Sequence, residues 1–165
     1  MKIGSRIVYP MHGAGIVIEI QEEDFYGENI LFCTLKTCNK QMLLKFPLRR
    51  AEEMNIRKIS DKETILNAME KSEIEDYSAI SNWSKRYQTS LDKMKIGTPE
   101  QMASVLVNLK LIDSSRGLSS GERQLYHNAL EILSSELMLI EDLPYEDAFG
   151  VIENKLEEVI DCKNS

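Results

Sequence analysis

The sequence predicts an α+β fold: a small, strongly bent β-sheet or barrel over residues 1–57, then an all-α domain of about five helices over residues 58–165. Three observations predict it. Residues 1–58 are short β-rich runs broken by Gly and Pro. Beyond Ile59, apolar residues recur at three- and four-residue spacing. In that second part Ser60, Thr98 and Ser119 are each followed, three residues later, by Glu or Gln, a helix-start signature.

The β elements follow in order. Ile7-Val8-Tyr9 is a short run closed by Pro10. His12-Gly13-Ala14-Gly15 supplies turn chemistry, because Gly accepts positive φ. In Ile16-Val17-Ile18-Glu19-Ile20 the isoleucines alternate onto one predicted face. Gln21 to Gly27 reads as an acidic hairpin loop around Phe25 and Tyr26. Ile30–Leu35 and Met42–Phe46 are further strands, joined by a polar turn at Thr37–Lys40 and ended by Pro47. Such a sheet is too small for a large core of its own, so it should lean on a neighbour or partner.

The helical half starts with a capping box at Ser60-Asp61-Lys62-Glu63, in which Ser60 accepts from the first turn and Glu63 reaches back. Ser81 or Asn82 is an N-cap signal before Trp83. Thr98-Pro99-Glu100-Gln101 repeats the start with Pro at the first helical position, and Ser119-Ser120-Gly121-Glu122 gives another. Apolar stripes follow: Met102, Val105, Leu106 and Leu109; then Leu125, Ala129, Ile132, Leu133 and Leu137; then Ala148, Val151, Ile152, Leu156 and Val159. Arg116-Gly117 is a helix stop with Gly as a left-handed cap, and Asp142-Leu143-Pro144 separates the last two helices. With no low-complexity linker between them, the two parts are expected to pack closely.

Charge and composition narrow the function. The chain of 165 residues carries a net charge of −7, with 28% charged and 42% hydrophobic residues. Those fractions describe a folded globular protein, and the charge argues against bulk polyanion binding. It is uneven, however: residues 1–58 hold a net of +2 and residues 59–165 a net of −9. Within the acidic half, residues 81–97 carry Lys85, Arg86, Lys93 and Lys95 against Asp92 alone. Such an island suits a few specific contacts, with affinity supplied elsewhere. Three cysteines form no disulfide framework, and no stretch resembles a secretory leader or a membrane span. A cytoplasmic location is the expectation.

Catalytic and metal chemistry finds no constellation. His12 and His127 lie in different predicted domains, and Cys33 and Cys38 have no second pair, where zinc needs four suitably spaced ligands. No Gly-rich loop precedes a helix as phosphate cradles require. The expectation is a protein without enzymatic activity, cofactor, metal or small-molecule substrate.

The richest segment is Ser81-Asn82-Trp83-Ser84-Lys85-Arg86-Tyr87, which holds the only Trp. Trp83, Tyr87, Leu91 and Met94 share a helical face, and such a stripe is commonly core. Alternatively Trp83, in a first turn, is exposed, with the helix N-terminus offering N–H groups and a positive dipole to a phosphate. Lys85, Arg86 and Arg123 are, by the same two readings, solvated surface charges or phosphate contacts. Lys45, between Leu44 and Phe46, reads as a charged guard on an edge strand, and a guarded edge is also one a partner strand could add to.

Two coupled segments go further. Gly4-Ser5-Arg6-Ile7-Val8-Tyr9-Pro10-Met11-His12-Gly13-Ala14-Gly15 is one; Asn82-Trp83-Ser84-Lys85-Arg86-Tyr87 followed by Gly117-Leu118-Ser119-Ser120-Gly121-Glu122-Arg123 is the other. Together they resemble the CarD/CdnL family of bacterial transcription regulators over about residues 1–140. The Tyr-Pro-x-His-Gly start is shared with the polymerase-interacting domain of transcription-repair coupling factors. The resemblance implies an N-terminal Tudor-like domain that docks on the β-subunit lobe of RNA polymerase. It implies a helical domain that touches promoter DNA at the upstream edge of the bubble and stabilises the open complex. By the same resemblance Trp83 is the wedge, Lys85, Arg86 and Arg123 face DNA, and Phe25 and Lys45 face polymerase. Two departures stand out: Glu23 and Gln88 occupy positions where some relatives carry basic polymerase and DNA contacts. Residues 141–165, with 8 acids against 2 lysines, extend beyond the likeness and read as one more amphipathic helix on the bundle. The competing expectation is a protein-interaction module that binds polymerase or another protein and never meets DNA.

Overall fold

A computed structural model describes residues 1–75 and 83–164. Five strands come first: β1 (Arg6–Tyr9), β2 (Gly13–Phe25), β3 (Glu28–Thr37), β4 (Leu43–Pro47) and β5 (Arg57–Lys58), with one 3-10 turn at Leu48–Arg50. They form a single antiparallel sheet in the order β4-β3-β2-β1-β5. Helices α1 (Lys62–Glu70), α2 (Trp83–Ile96), α3 (Pro99–Arg116), α4 (Ser120–Glu141) and α5 (Tyr145–Asn164) follow. The predicted α+β architecture is the observed one.

Three details of the sheet differ from expectation. The acidic segment Gln21–Phe25 is strand, not loop: pairing with β3 runs out to Phe25–Glu28, leaving Tyr26-Gly27 as the turn. Acidic residues prevail there because the arm is solvated on both faces, a case that strand propensity does not anticipate. Gly13-Ala14-Gly15 is strand too, pairing with Tyr9, Val8 and Ile7, and the turn lies one step earlier at Pro10–His12. Gly15 is needed for proximity: a Cβ there would lie 2.3 Å from the Lys36 carbonyl oxygen of β3. Finally, Ile16, Ile18 and Ile20 do not share a face. A bulge between Val17 and Glu19 shifts the register and leaves Ile18 exposed.

The bulge has a packing consequence. Ile16 joins Val8 and Ala14 against the helices, whereas Ile20 joins Ile7, Val17, Cys33, Leu35 and Phe46 in the sheet's own core. The small sheet thus closes one core upon itself and lends its other face to the helical bundle, as its size requires.

Among the helices α3 is central, packing against α1, α2, α4 and α5. It buries Ala103, Val107 and Asn108 besides the predicted stripe of Met102, Val105, Leu106 and Leu109, so it is covered nearly all round. The stripes of α4 and α5 are core as expected, except that Val151 is half-buried. α5 places the acidic C-terminal segment on the bundle through Ala148, Ile152, Leu156, Val159 and Ile160.

The helix starts were largely legible. Thr98 caps α3 by accepting from Gln101, and Gly117 ends it with φ +78°. Its ψ of 159° is extended, so Gly117 is a positive-φ stop without the left-handed helical cap. At α1 the cap is Asp61, accepting from the Thr64 N–H at 2.7 Å, in place of the expected Ser60. Ser60 is diverted: its backbone N–H and hydroxyl both donate to Glu136 at 2.8 Å. The expected cap at Ser81 or Asn82 lies outside the described residues.

Glu136 explains how the two parts are joined. Its carboxylate, fully buried on α4, accepts two 2.8 Å hydrogen bonds from the Arg57 guanidinium of β5. With the two from Ser60, four donors satisfy it, which a buried charge requires. Arg57 also donates to the Gly97 carbonyl at 2.9 Å. Elsewhere in the interface the Ser135 hydroxyl accepts from the Ala14 N–H at 3.0 Å and donates to the Ile132 carbonyl, and Arg6 donates to the Leu139 carbonyl.

Candidate functional site

The site begins with a graded stripe along α2. Met94 is fully buried, Leu91 and Tyr87 are half-buried, and Trp83 at the first helical position is 57% exposed. The helix therefore anchors at its C-terminal end and lifts its N-terminal indole toward solvent. Lys85 is exposed beside it. Gln88, one of the two departures, is exposed and donates to Asp92 at 2.8 Å. Lys93 is drawn inward to Glu75 and donates to the Ser104 hydroxyl at 2.8 Å, and burial lowers its pKa.

Arg86 takes a different position from the one expected of a phosphate contact. It is 8% exposed, and its guanidinium forks onto the carboxylate of Glu122, itself 0% exposed. One arm is Nε to Oε1; the other is Nη2 to Oε2 at 3.0 Å. Glu122 is also the third residue of the α4 capping box. Its Oε2 accepts from the Ser119 N–H at 3.0 Å and hydroxyl at 2.9 Å, while Ser119 Oγ accepts from the Glu122 N–H. Burial works to raise the Glu122 carboxyl; the bonds from Arg86 and Ser119 outweigh it, and the pKa lies below its ordinary value.

One residue earlier, Gly121 leaves room for Tyr87. A Cβ at Gly121 would stand 3.2 Å from the Tyr87 ring. The two segments that look like separate motifs in the chain are thus one contact in space: Arg86 on Glu122, Tyr87 over Gly121, and Ser119 closing the cap. Arg123 follows directly. Its side chain is half-exposed, with a guanidinium nitrogen 3.8 Å from Asp113.

A second group lies on the sheet. Phe25 ends β2, 52% exposed, edge-on to Tyr26, which is 94% exposed at the hairpin tip. Lys45 on β4 lies 5.1 Å over the Phe32 ring and pairs with Glu23 of β2. Glu23, the acid standing where some relatives carry a base, is therefore bound to the strand lysine that the same resemblance assigns to docking.

The Ser119 cap expected from the sequence is present, and Trp83 and Phe25, singled out there, are exposed. Sequence reasoning missed the second role of Glu122, the interdomain role of Glu136, and Asn108. The last is buried on α3, accepts from the Glu75 N–H at 2.9 Å and donates to the Glu73 carbonyl at 3.1 Å. Among these only Glu122 carried a signal, its place in the capping box. Among the described residues no group of three or more His, Cys, Asp or Glu could hold a metal ion. No described helix is long and apolar enough to cross a membrane.

Comparison with known proteins adds to this geometry. The model of the CarD C-terminal domain matches residues 64–153, and that of the CarD-like/TRCF RID domain matches residues 1–60. The chain is 30% identical over 142 residues to a Bacillus subtilis (strain 168) protein named "Putative transcription factor YdeB", covering 86% of this chain and 93% of that one. Among solved structures it is similar to the 72-residue N-terminal domain of Myxococcus xanthus CarD, determined by solution NMR. That likeness has a TM-score of 0.31 and 24% identity, over 35% of this chain and 77% of the other.

Proposed function

The chain belongs to the CarD-like family of transcription factors, and from that premise we propose that it is a non-enzymatic RNA polymerase accessory factor that stabilises the open promoter complex. Residues 1–57 dock on the polymerase β-subunit lobe through the Phe25 hairpin and the β4 edge that carries Lys45. Residues 58–165 bring Trp83 to DNA at the upstream edge of the bubble. Lys85 and Arg123 touch phosphates there; Arg86, turned onto Glu122, does not.

The observation that carries this reading is the exposed indole of Trp83 on a helix end that two contacts fix to α4. An apolar side chain at a fork can occupy the space left by unstacked bases, so reannealing must first expel it. Stacking on a base is worth about 1–3 kcal/mol. That is too little for binding alone, and it fits an acidic protein whose affinity comes from docking on polymerase at high effective concentration.

Photocrosslinking from position 83 in a promoter complex tests the DNA half. Adducts to the upstream fork are expected; adducts to protein alone would favour an interaction module that never meets DNA. Calorimetry with a β-lobe fragment tests the docking half, which fails if no binding heat is seen.

A further inference from the structure

We propose that Arg86 and Glu122 are positioning residues for Trp83, a buried latch that fixes the exposed end of α2 on the N-terminus of α4. The inference rests on the reading of Trp83 given above, and deepens it. The apolar anchorage of α2 in the helical core is Tyr87, Leu91 and Met94, all beyond its first turn. Over its first turn Trp83, Ser84 and Lys85 are all exposed. A terminal turn held by so little apolar burial is prone to fray. Arg86 and Tyr87 are the next two residues, and helical side chains lean toward the N-terminus, so both act on the turn that carries Trp83.

The latch is specific in geometry. Both guanidinium arms meet both carboxylate oxygens, the second at 3.0 Å, and the carboxylate is held in turn by Ser119 at 2.9 and 3.0 Å. A planar fork on a capped carboxylate defines orientation as well as distance. Tyr87 on Gly121 adds a second point of attachment one residue along. Arg86 therefore acts on DNA through Trp83 and makes no phosphate contact of its own.

Because Trp83 is the only tryptophan, its fluorescence reads its position directly. The test compares the full-length protein with Glu122→Gln, in which Gln retains the capping box but loses the charged fork. The double variant Arg86→Met/Glu122→Gln leaves no charge stranded and guards against misfolding. Gln124→Ala, at an exposed position of α4, serves as the neighbouring control. Helicity should be retained in all three. Trp83 anisotropy should fall in both latch variants, as nanosecond motion of the helix end appears, and stay unchanged in the control. In a promoter complex the latch variants should shorten open-complex lifetime toward that of Trp83→Ala. A fall in anisotropy with no lifetime effect, in a system where Trp83→Ala is also silent, supports the latch and defeats the wedge. Unchanged anisotropy in both latch variants overturns the latch, whatever the lifetime shows.

Discussion

At Glu122 a single carboxylate serves a helix cap and an ion pair, and its titration exposes that double use. Its folded pKa is lowered. The unfolded chain therefore takes up the proton more readily, so the stability it contributes is complete above the ordinary carboxylate value of about 4.3 and is lost as pH falls through the lower folded value. The difference in Tm between wild type and Glu122→Gln should be widest above about pH 5 and narrow below about pH 4. Thermal melts followed by circular dichroism across that range check it. A gap that widens in acid would contradict the pairing. The cap itself could be read from Ser119 and Glu122 because capping is local, spanning three residues. The pair with Arg86 joins residues 36 apart, and nothing in a local pattern reports it. The exposure of Trp83 was not decided by local pattern: its stripe with Tyr87, Leu91 and Met94 reads as core, its first-turn place allows exposure, and the resemblance favoured the second.

Elements were legible where one period ruled them and obscure where two environments met. The stripes of α4 and α5 are core apart from the half-buried Val151, although α4 is buried all round over Ile132–Leu137, where it also meets the sheet. β2 resisted because it serves two cores and changes between them at a one-residue bulge, which inverts every later side chain. Its acidic outer arm reads as loop on composition, although pairing there needs only backbone. Gly15 likewise reads as turn chemistry, yet its task is cross-strand approach. Gly15→Ala would drive a methyl group into the Lys36 carbonyl and should cost about 1–3 kcal/mol or more, the usual range for overpacking. Urea denaturation should show a lower midpoint. An unchanged midpoint would mean that β2 and β3 can separate there without penalty.

For the whole molecule the decisive feature is the buried junction at Glu136, which ties β5 and the start of α1 to α4. Charge composition hinted at two unlike halves but could not show that an ion pair between the part-buried Arg57 and the buried Glu136 joins them. Removing one partner of such a pair typically costs about 3–5 kcal/mol. Glu136→Gln should lower Tm and loosen the angle between sheet and helices. Under the proposed division of labour it should spare binding to a β-lobe fragment while weakening the effect on open complexes, because docking no longer fixes where Trp83 arrives. Equal loss of both activities would instead mark general unfolding.

The most direct test is the lifetime of open complexes on a matched promoter and polymerase, with wild-type protein or Trp83→Ala. Wild type should lengthen it, and Trp83→Ala should remove roughly a factor of ten, the equivalent of stacking on one base at 1.4 kcal/mol per decade. The variant should bind the β lobe as wild type does. If both proteins lengthen the lifetime equally, Trp83 is not the wedge, and the site built on α2 and α4 acts by some other means.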